Sequence, residues 1–375
     1  MASRASLAYL GQEEIFLTGQ PELTYYIEKY PGFTPFASRV DEVQFQTDCI
    51  FGAENYIDIP RSGDIITNMY LDIEFPSGYT VLESAGTLMI RYVELYLGGD
   101  LLERLWGEYI EILDDLTVPA TKQTALRTLT GKGTATANSR YRIPLPFSII
   151  DKGYPLCAIE QNLQFRITFN PGYIFTNPSV AITTTFGAHL HIEYTYISEE
   201  EIKALKARPY LQFFEQVQKI SFFAPQGSNF VRCQLGFVNP VKELFFVIQN
   251  DSARGYDYTT DGSTEQLQNL VLYFNSTDRI SSDVGTPVFL RNIQALEFHT
   301  RTPDHKFYMY SFSLDPEGDS PAGHVNFSRI KNQVLELTLN PSTANRNISV
   351  YAVSYNFLEF EPGQPARILF NNFET

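Results

Sequence analysis

Side chains alternate between apolar and polar types along several segments of this chain, and this two-residue period limits the folds open to it. In residues 164–170, Phe165, Ile167 and Phe169 fall on one side and polar residues fall on the other. Residues 189–196 alternate in the same way. Because successive side chains of a strand point to opposite faces, the pattern predicts strands that are buried on one face. Such strands are typical of antiparallel sheets.

Length and composition extend this interpretation to the whole chain. The 375 residues exceed what one hydrophobic core usually serves, which favours about two domains. Phenylalanine and tyrosine number 29 and 23, against a single tryptophan, and such aromatic side chains favour pleated, half-buried surfaces. We therefore predict an all-β protein with two consecutive domains.

One segment of the first half has a helical period. Apolar residues recur at helical spacing through residues 101–116, opposite charged ones, which predicts an amphipathic helix laid on the sheets. Trp106 falls on the apolar side of this segment, where a packing role is more typical than a ligand-binding role.

A second helix is predicted near the middle of the chain. Ser198 and Glu201 have the spacing of a capping box, the basic residues Lys203, Lys206 and Arg208 gather toward the other end, and Pro209 follows them. Residues 198–209 are therefore predicted to form a short charged helix that links the two domains.

The charge of the chain excludes one class of partner. The formal net charge is -15 and the sequence pI is about 4.8. Proteins that coat nucleic acid need lysine and arginine to displace counterions from phosphates. We therefore expect no direct nucleic acid binding.

The cysteines indicate a reducing environment. Cys49, Cys157 and Cys233 are widely spaced and include no C-x-x-C pair, which argues against a disulfide framework and a cysteine-rich zinc site. The first residues have too short an apolar core for a signal peptide. Folding in a cytoplasm fits both observations.

Candidate metal-binding and catalytic patterns are incomplete. His189 and His191 share one strand face, but Glu193 is the only further ligand type beside them, so a solvated face is the more typical interpretation. Asp114 and Asp115 fall at helix positions where solvated charge is the ordinary state, whereas a catalytic pair needs one carboxyl group held away from water.

Two further motifs lack residues that their chemistry needs. Residues 131–134 read Gly-Lys-Gly-Thr, but Gly133 stands where a phosphate-binding loop has Ser or Thr, and Leu126 stands where it has its first glycine. Asp304 and His305 are not accompanied by the G-x-S-x-G elbow of many hydrolases. We assign no catalytic residue, no metal and no cofactor.

The most specific pattern lies in residues 307–330, FYMYSFSLDPEGDSPAGHVNFSRI. Its alternation predicts a strand that ends at Leu314 and is buried on both faces, followed by a loop shaped by proline and glycine. The run SFSLDPE, a Pro-small-Gly step and NFSRI resemble a signature of the major capsid proteins of nucleocytoplasmic large DNA viruses and their polinton-like relatives. The signature residues are Asp315, Pro316, Asn326, Phe327, Ser328 and Arg329.

Other short segments resemble the same family and occur in its order along nearly the whole chain. Each is weak alone, and their colinearity carries the resemblance. These segments are residues 17–26, 61–71, 92–99, 116–119, 143–147, 210–218 and 351–356.

The resemblance implies a double jelly roll, with two consecutive eight-stranded jelly-roll sandwiches and short helical insertions. It divides the chain into an N-terminal arm at 1–20, a first jelly roll at 21–197, a linker helix at 198–209 and a second jelly roll with the C-terminal tail at 210–375. It implies a major capsid protein that assembles into pseudo-hexagonal homotrimeric capsomers tiling an icosahedral shell. The implied partners are further copies of the chain, minor capsid proteins and penton proteins, with room for an inner membrane beneath the shell. The implied location is the virion, after assembly in the host cytoplasm.

A second function class stays open on the sequence. Paired jelly rolls also occur in carbohydrate-active and glycan-binding proteins. Such a protein needs a cleft with a pair of carboxylates and usually tryptophan platforms for the sugar. The single tryptophan, at a predicted packing position, counts against this alternative.

The signature residues carry two structural expectations. Asp315 and Arg329 are expected either to form an ion pair that pins the loop between them or to be separate surface charges. Phe327 is expected to lie buried beneath that loop, with Asn326 and Ser328 bonded to backbone groups that the loop leaves unpaired.

Overall fold

The chain divides into two compact units, residues 1–35 and residues 36–375, and every described strand belongs to the second. The predicted arm, residues 1–20, lies almost wholly outside the described residues. The computed structural model describes residues 32–259 and 265–370, together with residues 17, 19, 20, 22, 24 and 26.

The first half of the chain forms two antiparallel four-stranded sheets. Its strands are β1 (Ala37–Gln44), β2 (Glu54–Asp58), β3 (Ile65–Glu74), β4 (Ile90–Leu97), β5 (Asp100–Trp106), β6 (Arg140–Pro144), β7 (Leu163–Phe169) and β8 (Ala188–Tyr196). The strand orders are β1-β8-β3-β6 and β2-β7-β4-β5. Most spatial neighbours are distant in sequence, because the chain passes repeatedly from one sheet to the other, as in a jelly roll.

The alternating segments form strands as predicted. In β7, Phe165, Ile167 and Phe169 are buried, whereas Gln164 and Arg166 on the opposite face are partly exposed. The alternation continues in β8, where buried and half-buried residues follow one another. The two-residue period therefore assigned these faces correctly.

The second half forms another pair of antiparallel sheets. Its strands are β9 (Tyr210–Ala224), β10 (Phe230–Gln234), β11 (Pro240–Asn250), β12 (Leu267–Phe274), β13 (Thr277–Ile280), β14 (Tyr308–Ser311), β15 (Val325–Asn326), β16 (Gln333–Leu339), β17 (Arg346–Phe360) and β18 (Arg367–Ile368). One sheet has the order β10-β16-β12-β13, and the other is built on β14-β11-β17-β18 with β9 along β17 and β15 along β11. The count exceeds the predicted eight strands because β15 and β18 are additional two-residue strands.

Short helices occupy the connections. They are α1 (Ala85–Met89), α2 (Gly107–Thr117), α3 (Gln123–Thr130), α4 (Ser148–Asp151), α5 (Glu199–Ala207) and α6 (Gln294–Phe298), with a π-helical turn at Val288–Ile293 before α6 and 3-10 turns at Gly172–Ile174 and Phe327–Arg329. The segment predicted as a linker contains the helix α5, whose cap Ser198 accepts a hydrogen bond from the Glu201 N–H. None of the helices in the described part of the chain is long and apolar enough to cross a lipid bilayer.

The predicted helix over residues 101–116 is wrong in its first half. Residues up to Trp106 belong to the strand β5, which pairs with β4, and the helix α2 begins only at Gly107. Gly98 and Gly99 both have positive φ and form the tight turn of the β4–β5 hairpin. A Gly-Gly pair between apolar runs is a strong hairpin signal, and here it outweighs the helical spacing that follows.

Two clusters of buried apolar side chains stabilise the molecule. One lies within the second half and includes Leu244, Leu335 and Phe327. The other fills the first half and continues through Phe245 and Tyr351 of the second. The contact between the two halves is therefore a continuation of a core.

Candidate functional site

The strand at the start of the signature segment is shorter than its alternation predicts. It ends at Ser311 and not at Leu314, whose side chain is 84% exposed. The Ser311 hydroxyl donates to the Ser313 carbonyl oxygen at 2.8 Å and accepts from the Ser313 N–H at 3.1 Å. Such local bonds give the backbone an alternative to the sheet ladder, so the chain turns away. The prediction of a strand to Leu314, buried on both faces, is therefore wrong at its end.

Phe327 lies in the core of the second half, with 0% of its surface exposed. Its ring packs edge to face against Phe237, Phe274 and Phe312, with centroid separations of 6.3, 5.2 and 5.9 Å. Its burial is confirmed, and its ring neighbours come from three separate parts of the second half. Phe327 therefore packs the signature segment against the core of the second half.

Ser328 and Asn326 contact the approach to β11. Ser328 Oγ accepts from the Asn239 N–H at 2.8 Å, and the Phe327 N–H donates to the Asn239 carbonyl oxygen at 3.0 Å. Asn239 has a positive φ of 69°, so these two bonds hold a backbone conformation that few side chains adopt. The backbone of Asn326 pairs with Pro240. The expectation that Ser328 bonds the preceding loop is wrong, because Ser328 bonds this turn.

Asp315 and Arg329 are separate surface charges. Both are exposed, and no ion pair joins them in the described part of the chain. The Asp315 carboxylate instead lies against Gly318 of its own loop, where an added Cβ would be 2.5 Å from Oδ2. The neighbouring Pro316 is buried, and its carbonyl oxygen accepts a hydrogen bond from Lys242 Nζ at 2.6 Å. The signature loop is thereby anchored through its backbone.

This loop forms one wall of a cleft between the two halves of the chain. The cleft has a volume of about 410 Å³. Side chains of β5, α2 and α4 line it on one side, and side chains of β9 and β11 line it on the other. The carboxyl groups that line it are those of Glu103, Asp114, Asp151, Glu215, Glu243, Glu317 and Asp319.

Lys242 is the buried cation of the second-half wall. Its Nζ lies 2.6 Å from Glu215 Oε2 and 3.8 Å from Glu243 Oε1. Burial favours the neutral amine, but the charges of the two glutamates outweigh it and raise the pKa of Lys242. The lysine therefore stays charged between them.

His299 bridges two acids of the same wall. Its Nδ1 lies 3.0 Å from Glu317 Oε1 and its Nε2 lies 3.5 Å from Glu243 Oε2. The Thr300 N–H and hydroxyl also donate to the Glu317 carboxylate. Burial favours the protonated acid, but the bonds from His299 and Thr300 outweigh it and lower the pKa of Glu317. Glu317 is therefore held ionised.

The carboxyl groups of the first-half wall have raised pKa values, in contrast to Glu317. Glu103 accepts hydrogen bonds from the N–H groups of Ser148 and Ile149 at the start of α4. Burial is nevertheless the largest influence and raises the pKa of Glu103 well above its ordinary value. Burial likewise raises the pKa of Asp114 to about 7 and that of Asp151 to about 6. These acids hold protons at a pH where exposed carboxyl groups are ionised.

A buried charge network lies behind this wall and joins the two halves. Asp115 is fully buried, with Lys132 Nζ 2.7 Å from one carboxylate oxygen and His305 Nδ1 2.7 Å from the other. Arg301 adds a contact at 3.0 Å, and Lys132 also lies 3.2 Å from Glu111. Burial would raise the pKa of Asp115, but His305 and Lys132 outweigh it and hold this pKa below the usual range. Asp115 is therefore ionised except under strongly acidic conditions.

The prediction that Asp114 and Asp115 are solvated is therefore wrong. Their exposed fractions are 8% and 0%. The cause is Lys132, which the positive φ values of Gly131 and Gly133 allow to turn inward beneath α2. The Gly-Lys-Gly run was a usable signal for such a turn, whereas Arg301 and His305 come from a part of the chain that no local pattern connects to α2.

This network includes the one group of metal-ligand side chains that converges in the described part of the chain. Ligand atoms of Glu111, Asp115 and His305 lie within 4.8 Å of one another. Lys132 Nζ already contacts both carboxylates, and Arg301 contacts Asp115. The positive charge that a metal would supply therefore comes from the chain itself, and the group fits an ion-pair network better than a metal centre.

The single tryptophan does not line the acidic cleft. Trp106 ends β5 and is half-buried, with its ring 5.9 Å from that of Tyr351 and the Arg104 guanidinium 5.9 Å from its centroid. Its contacts are those of a packing residue, as its place among apolar residues in the sequence predicts. The carbohydrate-binding alternative therefore has no tryptophan platform beside its carboxylates.

The two strand histidines have neighbours of their own. The His191 ring stacks on Tyr70 at 4.6 Å with an interplanar angle of 3°, and His189 Nδ1 lies 3.2 Å from Glu42. Both belong to the half-buried face of β8, away from the cleft.

Family models match two consecutive parts of the chain. A model described as the N-terminus of the major capsid protein matches residues 24–199. A model described as the large eukaryotic DNA virus major capsid protein matches residues 201–366. The junction between the two matches falls at the start of α5.

Two relatives of the chain agree with these matches. The major capsid protein of Pyramimonas orientalis virus is 25% identical, over 95% of this chain and 96% of that protein. The major capsid protein of Paramecium bursaria Chlorella virus 1 is 23% identical, over 96% and 97%.

Solved structures confirm the predicted fold class, an all-β double jelly roll. A chain of the PBCV-1 virus capsid, 21% identical, superimposes with a TM-score of 0.81 over 92% of this chain and 100% of its own length. The Faustovirus major capsid protein, 12% identical, superimposes with a TM-score of 0.77 over 96% of each chain.

Proposed function

Because the chain belongs to the major capsid protein family of large eukaryotic DNA viruses, we propose that three copies of it associate into one capsomer. The observation that carries this proposal is the presence of two similar sandwiches in one chain. Three copies then place six sandwiches around one axis, which approximates the hexagon needed to tile an icosahedral shell. A closed trimer requires two different faces that fit each other, and obligate interfaces bury upwards of about 2,000 Å².

We assign one jelly roll to residues 21–197, the other to residues 210–375, and their connection to the linker at 198–209. In support of this division, no described sheet contains strands from both sides of α5. The shared core between the halves supports a rigid pair of rolls within each subunit. A rigid pair is what a fixed hexagonal outline requires.

Exposed apolar side chains support association of the subunit with other copies. Val288, Leu296 and Leu314 are 59%, 77% and 84% exposed in the single chain. Large apolar side chains at such exposure are typical of surfaces that become buried in an assembly. We expect a share of them to be covered in the capsomer.

The purified chain is expected to behave as a trimer. Light scattering at micromolar concentration should give three times the chain mass of 42.7 kDa. A monomer under these conditions, together with monomeric subunits released from virions under mild conditions, would contradict the proposal.

Removal of residues 1–15 is expected to leave both rolls folded and to weaken contacts between capsomers. Every described strand lies after residue 36, so the sheets do not require this segment. Far-ultraviolet circular dichroism of the truncated chain should match that of the full chain, while its assembly into larger particles should decline. Loss of the β signal would show instead that the segment belongs to the core.

The remaining assignments follow from the same proposal. Minor capsid and penton proteins are the expected partners at the edges and vertices, and an inner membrane is a further candidate neighbour. The net charge of -15 opposes direct contact with the genome, and assembly is assigned to the host cytoplasm. We assign no enzymatic activity.

A further inference from the structure

The two rolls repeat one arrangement of strands. Apart from the two-residue strands β15 and β18, each roll has one sheet made of its first, eighth, third and sixth strands and another made of its second, seventh, fourth and fifth strands. The strands β5 and β6 of the first roll therefore correspond to β13 and β14 of the second. It follows that the connection carrying α2 and the connection carrying α6 leave their rolls at the same position of the fold.

The connection of the first roll covers a sheet of the second roll. The Tyr109 ring of α2 lies 6.0 Å from the Phe245 ring of β11 and 5.9 Å from the Tyr351 ring of β17. Leu244 and Phe246, the neighbours of Phe245, belong to the core of the second half, so Phe245 points out of the opposite face of the sheet. Phe245 and Tyr351 are nevertheless fully buried. The outer face of sheet β9-β17-β11-β14 is therefore covered by the first roll of the same chain.

The connection of the second roll has an exposed apolar stripe. Val288 and Ile293 of the π-helical turn and Leu296 of α6 are 59%, 38% and 77% exposed, and we call these three side chains the α6 stripe. Leu290 and Ala295 of the same segment are fully buried. The segment thus packs on its own chain with one side and presents apolar side chains to solvent with the other. Large exposed apolar side chains that lie together are typical of surfaces that a partner covers.

The outer face of sheet β1-β8-β3-β6 is exposed as well. Leu190 of β8 lies in the first core, so His191 points outward, where its ring stacks on Tyr70 at 4.6 Å. Val40 of β1 pairs with Glu193, two residues further along β8, so it shares this outer face, and it is 49% exposed. In the second roll the corresponding face is the one that α2 covers. Each chain therefore has one stripe and one sheet face that remain uncovered.

We propose that the α6 stripe of one copy packs against the outer face of sheet β1-β8-β3-β6 of the next copy, an assignment that rests on the trimer of the proposed function. The contact between copies then continues the contact that α2 makes between the two rolls of one chain, so the rolls follow one another around the axis through one kind of interface. A closed ring needs two different surfaces on each copy that fit each other, and the stripe and the sheet face supply them.

One charge substitution on each surface tests this proposal. Leu296→Asp places a carboxylate in the stripe, and Val40→Asp places one on the sheet face; both sites are exposed, so each chain should fold, with circular dichroism as the check. By light scattering at micromolar concentration, wild type should give three times the chain mass of 42.7 kDa, and each variant alone should give one chain mass. Val288→Asp and Val40→Lys replace a first variant that does not fold.

A mixture of the two variants gives a sharper result. The intact stripe of Val40→Asp should fit the intact sheet face of Leu296→Asp, whereas the other two surfaces are both blocked. An equimolar mixture should therefore give two chain masses. It is measured up to about 100 μM, because a single contact lacks the second contact that closes the ring and strengthens the trimer.

Phe230→Asp is the matched control. Phe230 is 56% exposed on β10, at the opposite edge of its sheet from β13, so this variant should remain a trimer. Trimeric Leu296→Asp or Val40→Asp, a mixture that stays monomeric, or dissociation of Phe230→Asp would each overturn the assignment of the two surfaces while a trimeric wild type upholds the proposed function. A monomeric wild type would overturn both.

Discussion

Replacing Asp115 with asparagine should lower the free energy of unfolding by about 3–5 kcal/mol, because the change leaves buried cations without their shared anion. Asp115 is fully buried and contacts Lys132, Arg301 and His305 at 2.7–3.0 Å. Lys132 would keep Glu111 as its one remaining ion-pair partner in the described part of the chain. Urea denaturation of wild type and Asp115→Asn at pH 8, in buffer free of divalent ions, measures the difference.

Asp114, the residue before Asp115, provides a control in which the substitution should raise the free energy of unfolding. The folded protein binds the Asp114 proton more tightly than the unfolded chain does, since burial raises the pKa from 3.8 to about 7. Wild-type stability from this group therefore falls as the pH rises from about 4 to about 7. Asp114→Asn removes the titration, so the variant should gain about 1–3 kcal/mol on wild type between pH 5 and pH 8.

The effects of the Asp114 and Asp115 substitutions on stability should also differ in their pH dependence. The pKa of Asp115 is held below its usual range, so the contribution of its charge is lost only under strongly acidic conditions. The cost of Asp115→Asn should thus be present at both pH 5 and pH 8. Equal effects of the two substitutions at pH 8 would contradict this account of the network.

Replacing Phe327 with alanine should cost about 3–5 kcal/mol, because it opens a cavity among packed aromatic rings. The ring is fully buried and touches Phe237, Phe274 and Phe312, which come from separate parts of the second half. We also expect fewer assembled capsomers, since the turn at Asn239 loses the neighbour that fixes its bonding partner Ser328. Urea denaturation measures the first effect and light scattering the second.

A matched control uses an exposed phenylalanine. Phe230 is 56% exposed, so Phe230→Ala should change stability by less than about 1 kcal/mol. An unchanged unfolding midpoint for Phe327→Ala, with assembly intact, would show that the signature segment does not constrain folding.

Sequence patterns predicted what depends on local order. The two-residue period of β7 placed Phe165 and Phe169 on the buried face, and the cap at Ser198 located the start of the helix α5. Both properties depend on neighbouring residues alone. The colinear motifs then identified the double jelly roll.

The errors arose where distant residues decide the outcome. The spacing of apolar residues after Gly99 suits a helix, but pairing with β4 makes that segment a strand. The burial of Asp115 depends on Lys132 and on Arg301, which lies far along the chain. The acidic cleft likewise combines Asp114 with Glu243, and no spacing within either half indicates that they meet. Such sites form only when one roll packs on the other, so local sequence patterns do not predict them.

The pairing of β9 with β17 has a consequence for synthesis on the ribosome. Tyr210 pairs with Phe360 and Ala224 pairs with Arg346, so β9 finds its partner only near the end of the chain. Chains are synthesised at about 5–20 residues per second, so the edge of β9 stays unpaired for several seconds before its partner strand is made. A nascent chain that stops before residue 346 cannot complete this sheet. Truncated products are therefore left with an open strand edge, which exposes them to chaperones and proteases and withholds them from the shell.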